Sequence, residues 1–249
     1  MKKACVMFAG GLDRYRDGLR RLKVQANEMN IFDHVHSFMD EDLKADTEFW
    51  PLHGAFVEAN KRGYGYMIWK PYLIQKIMNT MENGDIILYV DAGCELDKRK
   101  RDQMMALFDK VQTGKLIASV NSREIEYNKT DIMVFLEMMD HDLFYSHQIQ
   151  TGAIMFLVCE ETRALVNKWY TVAHDYHMID DSPSIHPRKE EFVEHRHDQS
   201  IFSLLVKKMG LDKQPYMRCI EEAVDYVRNL SSVSILNNDN PNFTPQHRM

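Results

Sequence analysis

Short apolar runs alternate with longer amphipathic stretches along the chain. Five compact apolar runs predict β-strands, over residues 4–8, 31–38, 86–90, 116–120 and 149–158. Apolar residues at helical spacing predict helices between them, the first with residues 19, 22, 26 and 29 on one face and the others over residues 71–84, 104–111, 131–139, 160–176 and 201–209. Residues 40–47 and 180–191 are polar and predict loops, and residues 233–236 predict a last strand.

Strands that alternate with helices imply an α/β fold, in which a mostly parallel central sheet is flanked by helices on both faces. The sequence contains no internal repeat and no clear linker. We therefore expect a single domain over residues 1–236, followed by a polar, flexible tail over residues 237–249. A chain of 249 residues is long enough to bury a full core.

Composition excludes several classes of protein. The net charge of -6 argues against a nucleic-acid binder, which would carry a basic excess. The four cysteines lie far apart and form no CxxC pair, which indicates reduced thiols. No stretch approaches the roughly 20 apolar residues of a transmembrane segment, and the first apolar run is too short for a signal peptide. We expect a cytoplasmic protein, with attachment to a membrane surface as an open alternative.

The segment ILYVDAGCEL (residues 87–96) places an acid directly after a buried strand. In open α/β sheets, ligands bind outside the carboxyl ends of the strands. Asp91 is therefore expected at the ligand edge, where it could hold a divalent cation, a sugar hydroxyl or a ribose. Ala92 and Gly93 form the turn that follows, and the glycine would allow close approach of a ligand. An aspartate that caps its own turn explains the pattern equally well.

The segment EHRHDQS (residues 194–200) is a second candidate for chemistry. In extended chain, His195 and His197 face the same way. Together with Asp198 they could bind a metal, because imidazole and carboxylate suit several divalent ions. The alternative is an N-capping Asp198 beside exposed histidines, which leaves the histidine pair and Gln199 unexplained.

Two further segments carry side chains suited to a sugar or a nucleotide. In HQIQTGAIMF (residues 147–156), Gln150 and Thr151 precede Gly152, and their amide and hydroxyl could bond sugar hydroxyls. A polar loop that enters a strand explains them equally well. In GYGYMIWKP (residues 63–71), Trp69 could stack on a base or a sugar and Lys70 could meet a phosphate, although core packing is the default for Trp69.

Taken together, these segments resemble the GT-A-fold glycosyltransferases, the nucleotide-sugar-dependent kind found in bacterial and large-virus polysaccharide pathways. The resemblance includes the turn Ala9-Gly10-Gly11 after the first strand, with Arg14 and Tyr15 behind it. It rests on the order and spacing of the segments and extends from the first strand to residue 210. It implies that the predicted sheet has the GT-A (Rossmann-like) form.

The resemblance also implies roles for individual residues. GT-A enzymes usually carry a DxD motif that binds Mn²⁺ or Mg²⁺ on the donor diphosphate; Asp91 matches its first position, and Gly93 replaces the second acid. A late histidine often completes that metal site, which indicates His197, with His195 or Glu95 as alternatives. The expected donor contacts are Ala9, Gly10, Arg14, Tyr15, Trp69, Lys70, Asp91, Ala92 and Gly93. The expected contacts of the donor sugar or the acceptor are Gln150, Thr151, Gly152 and Gln199. Asp198 is the first candidate for the catalytic base that activates the acceptor hydroxyl.

The leading hypothesis is therefore a glycosyltransferase, a hexosyl- or pentosyltransferase of polysaccharide biosynthesis. It would move a sugar from a nucleoside-diphosphate sugar, with a UDP-sugar as the expected donor, to a glycan or another hydroxyl acceptor. One alternative is a metal-dependent hydrolase that uses His195, His197 and Asp198. Another is a non-catalytic carbohydrate-binding relative. A sugar nucleotidyltransferase is disfavoured, because the first turn lacks the basic residues that such enzymes carry.

Overall fold

A computed structural model describes residues 1–213 and 218–226. Within these ranges the strands are β1 (Lys3–Ala9), β2 (His34–Met39), β3 (Ile86–Val90), β4 (Cys94–Leu96), β5 (Leu116–Arg123), β6 (His147–Leu157) and β7 (Val224–Tyr226). The helices are α1 (Asp13–Met29), α2 (Asp40–Ala45), α3 (Phe49–Ala59), α4 (Gly63–Tyr66), α5 (Trp69–Met78), α6 (Arg101–Gly114), α7 (Glu124–Tyr127), α8 (Thr130–Phe135), α9 (His141–Tyr145), α10 (Glu160–Ala173) and α11 (His197–Lys208). The strand predicted over residues 233–236 and the tail predicted over residues 237–249 lie outside the described residues.

The central sheet has five strands in the order β2-β1-β3-β6-β5. Strand β1 pairs in parallel with both neighbours, so that Val6 lies opposite His36 on one side and Tyr89 on the other. Strand β6 runs antiparallel to β3 and to β5, with Leu88 opposite Met155. Four strands therefore share one direction, and the predicted mostly parallel sheet is confirmed.

Helices cover both faces of this sheet because its central strands are apolar on both faces. Alternate residues of β1 that begin with Ala4 join one core cluster, and those that begin with Cys5 join the other. Helices α5, α10 and α11 contribute to the first cluster, whereas α1 and α6 contribute to the second. All five side chains of β3 are buried, which explains why its sequence is a continuous apolar run. The predicted α/β layering is confirmed.

A second, two-stranded sheet pairs β4 with β7 in antiparallel orientation. Glu95 lies opposite Asp225 in this pair. The pairing brings the last described residues of the chain beside the turn that follows β3. No helix within the described part of the chain is long and apolar enough to cross a membrane.

Three local predictions are wrong. Residues 40–45 form helix α2 rather than a loop, and its start is stabilised by the Asp42 carboxylate, which accepts a hydrogen bond of 2.7 Å from the Met39 amide. Asp131 lies inside α8 and caps nothing there; its carboxylate accepts from the backbone amide of His186 at 2.9 Å. The helix predicted to reach residue 84 ends at Met78.

Candidate functional site

Asp91 lies directly after β3, at the edge of the sheet where the parallel strands end. Its amide donates to the carbonyl of Gly152 at 2.7 Å, which ties the end of β3 to β6. The hydroxyl of Tyr89 donates to Asp91 Oδ1 at 2.6 Å. Because residues two apart in a strand point to the same face, Tyr89 supports the carboxylate from below.

Lys70, near the start of α5, is the centre of a charged cluster. Its side-chain amine lies 3.3 Å from Asp91 Oδ1 and 2.9 Å from Asp198 Oδ2, and it donates to the carbonyl of Thr151 at 3.2 Å. Only 1% of Lys70 is exposed. Burial alone would lower its pKa, but the two carboxylates outweigh burial and raise the pKa of Lys70, so the amine stays charged.

Asp198 lies in the first turn of α11 and points into this cluster. Its Oδ2 accepts from Lys70 and, at 2.9 Å, from the hydroxyl of Thr151, and the residue is 1% exposed. The N-cap position of the helix belongs to Arg196, so Asp198 is not an N-cap. The carboxylate of Asp198 is buried and already bonded to Lys70 and Thr151. This arrangement does not fit the role of catalytic base that the sequence predicts for Asp198. The geometry fits a residue that positions Lys70.

Asp91 is the member of the cluster that faces outward. Its side chain is 39% exposed, and its Oδ2 accepts no hydrogen bond from a described residue. The pKa of Asp91 is raised, because desolvation within the cluster outweighs the attraction of Lys70. A single carboxylate oxygen is thus presented at the ligand edge of the sheet.

The turn after Asp91 is held from beneath by α1. Arg21, which is fully buried, donates to the carbonyl of Ala92 at 3.2 Å and to that of Cys94 at 2.8 Å. Gln25 accepts from the amide of Leu96 at 3.2 Å. These two residues were missed from the sequence, although polar side chains four apart on the apolar face of a helix were a usable signal. Gly93 occupies the turn without a left-handed φ.

The turn after β1 lies at the same edge of the sheet. Gly10 sits against aromatic rings, since a Cβ there would lie 2.8 Å from Phe8 Cζ and 3.1 Å from Tyr64 Cδ1. Arg14 is exposed, lies 5.0 Å from the centroid of the Tyr15 ring and donates to its hydroxyl at 3.3 Å. Arg14 forms no ion pair with an acid in the described ranges, so its charge is available to an anionic ligand. The preceding residue of the strand, Ala9, is buried.

The segment 63–67 winds in the left-handed sense. Gly63, Tyr64, Gly65, Tyr66 and Met67 have φ angles of 56°, 53°, 82°, 53° and 60°. Left-handed conformations cost energy for residues other than glycine, so such runs are rare.

This left-handed segment is anchored by the indole of Trp69, which donates to the carbonyl of Gly63 at 3.1 Å. The same ring packs 4.0 Å from Phe8, centroid to centroid, and is buried. Trp69 is therefore a core residue, which corrects its expected role as a donor-stacking ring.

Tyr226 of β7 forms a wall of the site that sequence reasoning missed. A Cβ placed on Gly152 would lie 2.8 Å from Tyr226 Cε1 and 3.6 Å from Asp91 Oδ2. Glycine at position 152 thus lets the tyrosine ring approach the exposed oxygen of Asp91. Nothing in the local sequence around Tyr226 indicates this, because the contact depends on the pairing of β7 with β4.

The remaining sugar-contact candidates differ in their availability. Thr151 is buried, and its hydroxyl is committed to Asp198. The side-chain amide of Gln199 donates to Gln148 Oε1 at 2.6 Å. Gln150 is half-buried in β6 beside the cluster. Of the four candidates, Gln150 and Gly152 remain suited to contact a ligand directly.

The two histidines do not form a metal site with Asp91. His195 is buried, accepts from the Lys129 amide at 3.2 Å and donates to the Met178 carbonyl at 2.9 Å, so neither ring nitrogen is available. Burial lowers the pKa of His195 to about 3. Glu95 lies 3.6 Å from Arg21. Among the described residues, no three His, Cys, Asp or Glu side chains come together as a metal cage. In the described part of the chain, His195, His197 and Asp198 are therefore not assembled as a ligand set for a metal.

Asp91 alone still fits one kind of metal binding. Mg²⁺ is commonly held by one or two carboxylates together with substrate phosphates, while keeping several waters. The outward Oδ2 of Asp91 meets this requirement, whereas His195, His197 and Glu95 do not join it.

Comparisons with known proteins match the chain to solved structures of glycosyltransferases at TM-scores below 0.5. No protein-family model matches the chain, and no curated protein sequence matches it significantly. Mouse xyloside xylosyltransferase 1, in its apo form, has a TM-score of 0.46 at 10% identity, over 84% of this chain and 82% of that one. A glycosyltransferase involved in glycosylation of the major capsid of PBCV-1 has a TM-score of 0.38 at 9% identity, over 70% and 68%. The galactosyltransferase LgtC, in complex with donor and acceptor sugar analogues, has a TM-score of 0.43 at 16% identity, over 81% and 70%. The function proposed below rests on the chain's own residues.

Proposed function

We propose that this protein is a glycosyltransferase of the GT-A type. It transfers a sugar from a nucleoside-diphosphate sugar, with a UDP-sugar as the first candidate, to a hydroxyl of a glycan or another acceptor. The observation that carries the proposal is the cluster of Lys70, Asp91 and Asp198 at the end of β3, which leaves one oxygen of Asp91 facing outward. The order of the sequence segments that resemble GT-A enzymes supports it.

The chemistry requires that charge on the departing diphosphate be stabilised. Arg14 is exposed at the same edge and is not paired with a described acid, which suits it to meet a phosphate. A Mg²⁺ or Mn²⁺ ion that arrives with the donor would neutralise the diphosphate, with Asp91 as its protein ligand. The chain's own contribution is to hold Asp91 in place, through Tyr89 at 2.6 Å and Lys70 at 3.3 Å.

Asp198 acts through Lys70 in this proposal. It compensates the buried amine and, through Thr151, links β6 to α11. The donor sugar would then lie at the outward oxygen of Asp91, with the ring of Tyr226 as a wall of its site. Because residue 152 is a glycine, the tyrosine ring can lie where the Cβ of any other residue would collide with it.

The test is donor hydrolysis and transfer with a panel of UDP-sugars, each with and without Mn²⁺ or Mg²⁺. We expect the wild-type protein to consume at least one of them. Asp91→Asn should lower the rate by about 100-fold or more, because the substitution removes the charge that faces the donor. Asp109→Asn is the matched control, since Asp109 is an exposed carboxylate on α6 away from the site.

The proposal fails if no nucleotide sugar binds or if Asp91→Asn keeps the full rate. Binding without turnover in any condition would instead favour the non-catalytic carbohydrate-binding alternative.

A further inference from the structure

His197 has an unsatisfied polar atom in a buried position. The residue is 2% exposed, and its Nδ1 lies 2.9 Å from the carbonyl of Ile179. Its Nε2 is buried and has no hydrogen-bond partner among the described residues. A carbonyl only accepts, so the proton is on Nδ1, and Nε2 of the neutral ring is left as an acceptor that needs a donor.

The backbone at His197 is strained as well. Its φ is 53°, a left-handed value that costs energy for a residue with a Cβ. A buried acceptor without a donor adds a second cost at the same residue. Nothing in the described structure offsets both costs, which points to a hydrogen-bond donor that the described residues do not supply.

The surroundings of Nε2 define what that partner is. Asp181 Oδ1, a second acceptor, lies 3.8 Å from Nε2. Arg62 donates to both oxygens of Asp181, at 3.2 and 3.1 Å, and to Glu194 at 2.9 Å. The guanidinium disfavours a cationic ligand, while two neighbouring acceptors favour two neighbouring donors. The ring of Tyr66, with its centroid 4.7 Å from that of His197, offers an apolar face.

We propose that His197 Nε2 and Asp181 form a subsite that accepts hydrogen bonds from two adjacent hydroxyls of a sugar ring, with Tyr66 against the ring's apolar face. His197 immediately precedes Asp198 of the charged cluster in the chain, at the start of α11. As a sugar-binding subsite of the same enzyme, it rests on the proposed function. The sugar is that of the acceptor or that of the donor, and the chemistry of recognition is the same.

Access to Nε2 requires only that a surface contact opens. The side chains of Arg62 and Asp181 are 50% and 38% exposed. Ion pairs so exposed to water contribute little to stability, so the Asp181 side chain can shift to admit a sugar and then accept a hydrogen bond from it.

The experiment follows the imidazole nitrogens of ¹⁵N-histidine-labelled protein in long-range ¹H–¹⁵N spectra. His197 is assigned with His197→Gln and His197→Phe variants, whichever folds as judged by circular dichroism. The probes are the methyl glycosides of glucose, galactose, mannose and xylose, and separately UDP-glucose and UDP-galactose. We expect a saturable shift of His197 Nε2, from the glycosides if the acceptor binds there and from the UDP-sugars alone if the donor does.

Asp181→Asn should weaken that binding by about tenfold or more, because it removes a charged hydrogen-bond acceptor. Glu190→Gln, an exposed acid in the same loop, should leave it unchanged. The inference is overturned if no probe gives a saturable shift, if Asp181→Asn binds as tightly as wild type, or if His197 responds only to added Zn²⁺ or Mn²⁺. Donor hydrolysis measured on the same samples separates the two proposals: turnover without a His197 response overturns the subsite alone.

Discussion

Replacing Lys70 tests the charged cluster most directly. Lys70→Met keeps the length of the side chain but leaves Asp198, which is 1% exposed, without its cation. Removal of one partner from a buried ion pair costs about 3–5 kcal/mol, because the remaining charge is both desolvated and unpaired. Asp91 contributes less to this loss, since its exposed side chain can be hydrated.

The assay is urea unfolding followed by circular dichroism, together with thermal melts. A loss of about 3–5 kcal/mol in the free energy of unfolding corresponds to a fall of about 6–20 °C in melting temperature for a domain of this size. Lys76→Met is the matched control on the same helix. Lys76 is 49% exposed, and its buried partner Asp46 keeps hydrogen bonds from Tyr72 and from the amides of Glu48 and Phe49 when Lys76 is replaced. The loss of Lys76 should therefore cost less, about 1.5–3 kcal/mol, as for one hydrogen bond to a charged group.

A double mutant decides whether the cause is the unpaired charge. Lys70→Met combined with Asp198→Leu removes both charges and fills the space with apolar atoms. Replacement of a buried pair in this way is often neutral, so the double variant should be less destabilised than the sum of the two single variants. If Lys70→Met costs no more than Lys76→Met, or if the two single losses simply add, the buried pair contributes nothing and the reasoning is wrong.

Three further predictions concern the glycine, the tyrosine support and the pH dependence. Gly152→Ala should lower nucleotide-sugar turnover and stability, because its Cβ would lie 2.8 Å from the Tyr226 ring. Adding Tyr226→Ala to this variant should restore the stability in unfolding experiments, and the absence of such a rescue would contradict the contact. Tyr89→Phe should cost about 0.5–1.5 kcal/mol in urea unfolding and reduce turnover, through loss of its 2.6 Å bond to Asp91; unchanged turnover would show that the bond does not orient the carboxylate. Burial lowers the pKa of His53 from 6.5 to about 4, so protonation favours the unfolded chain and about 3 kcal/mol of stability should be lost as pH falls from about 6.5 to 4. His53→Asn should lack this slope, and an identical slope in the variant would assign it to other groups.

The strands and the position of Asp91 could be predicted because β3 is a buried run that ends in an acid. Lys70 and Asp198 were singled out from separate segments, and the structure brings them to Asp91. Arg21 was missed because it supports the turn after β3 from helix α1. Tyr226 was missed because it reaches the site through the pairing of β7 with β4, two strands that lie far apart in the sequence. Local patterns report such contacts weakly or not at all.

The prediction for the two histidines failed for a specific reason. Their rings do lie side by side, with centroids 5.7 Å apart and planes at 83° to each other, although the backbone turns left-handed at His197, where α11 begins. The failure lies in the partners of their ring nitrogens. The polar atoms of His195 then go to Lys129 and Met178, and the two histidines take different roles.

The pairing of β7 with β4 has a consequence for synthesis. Lys70, Asp91 and Asp198 all leave the ribosome before Tyr226, so the charged cluster can form on a growing chain that still lacks its tyrosine wall. The wall that Tyr226 forms beside Gly152 is in place only when residues 224–226 have emerged and paired with β4. Completion of this side of the candidate site is thus a late event in the synthesis of each molecule.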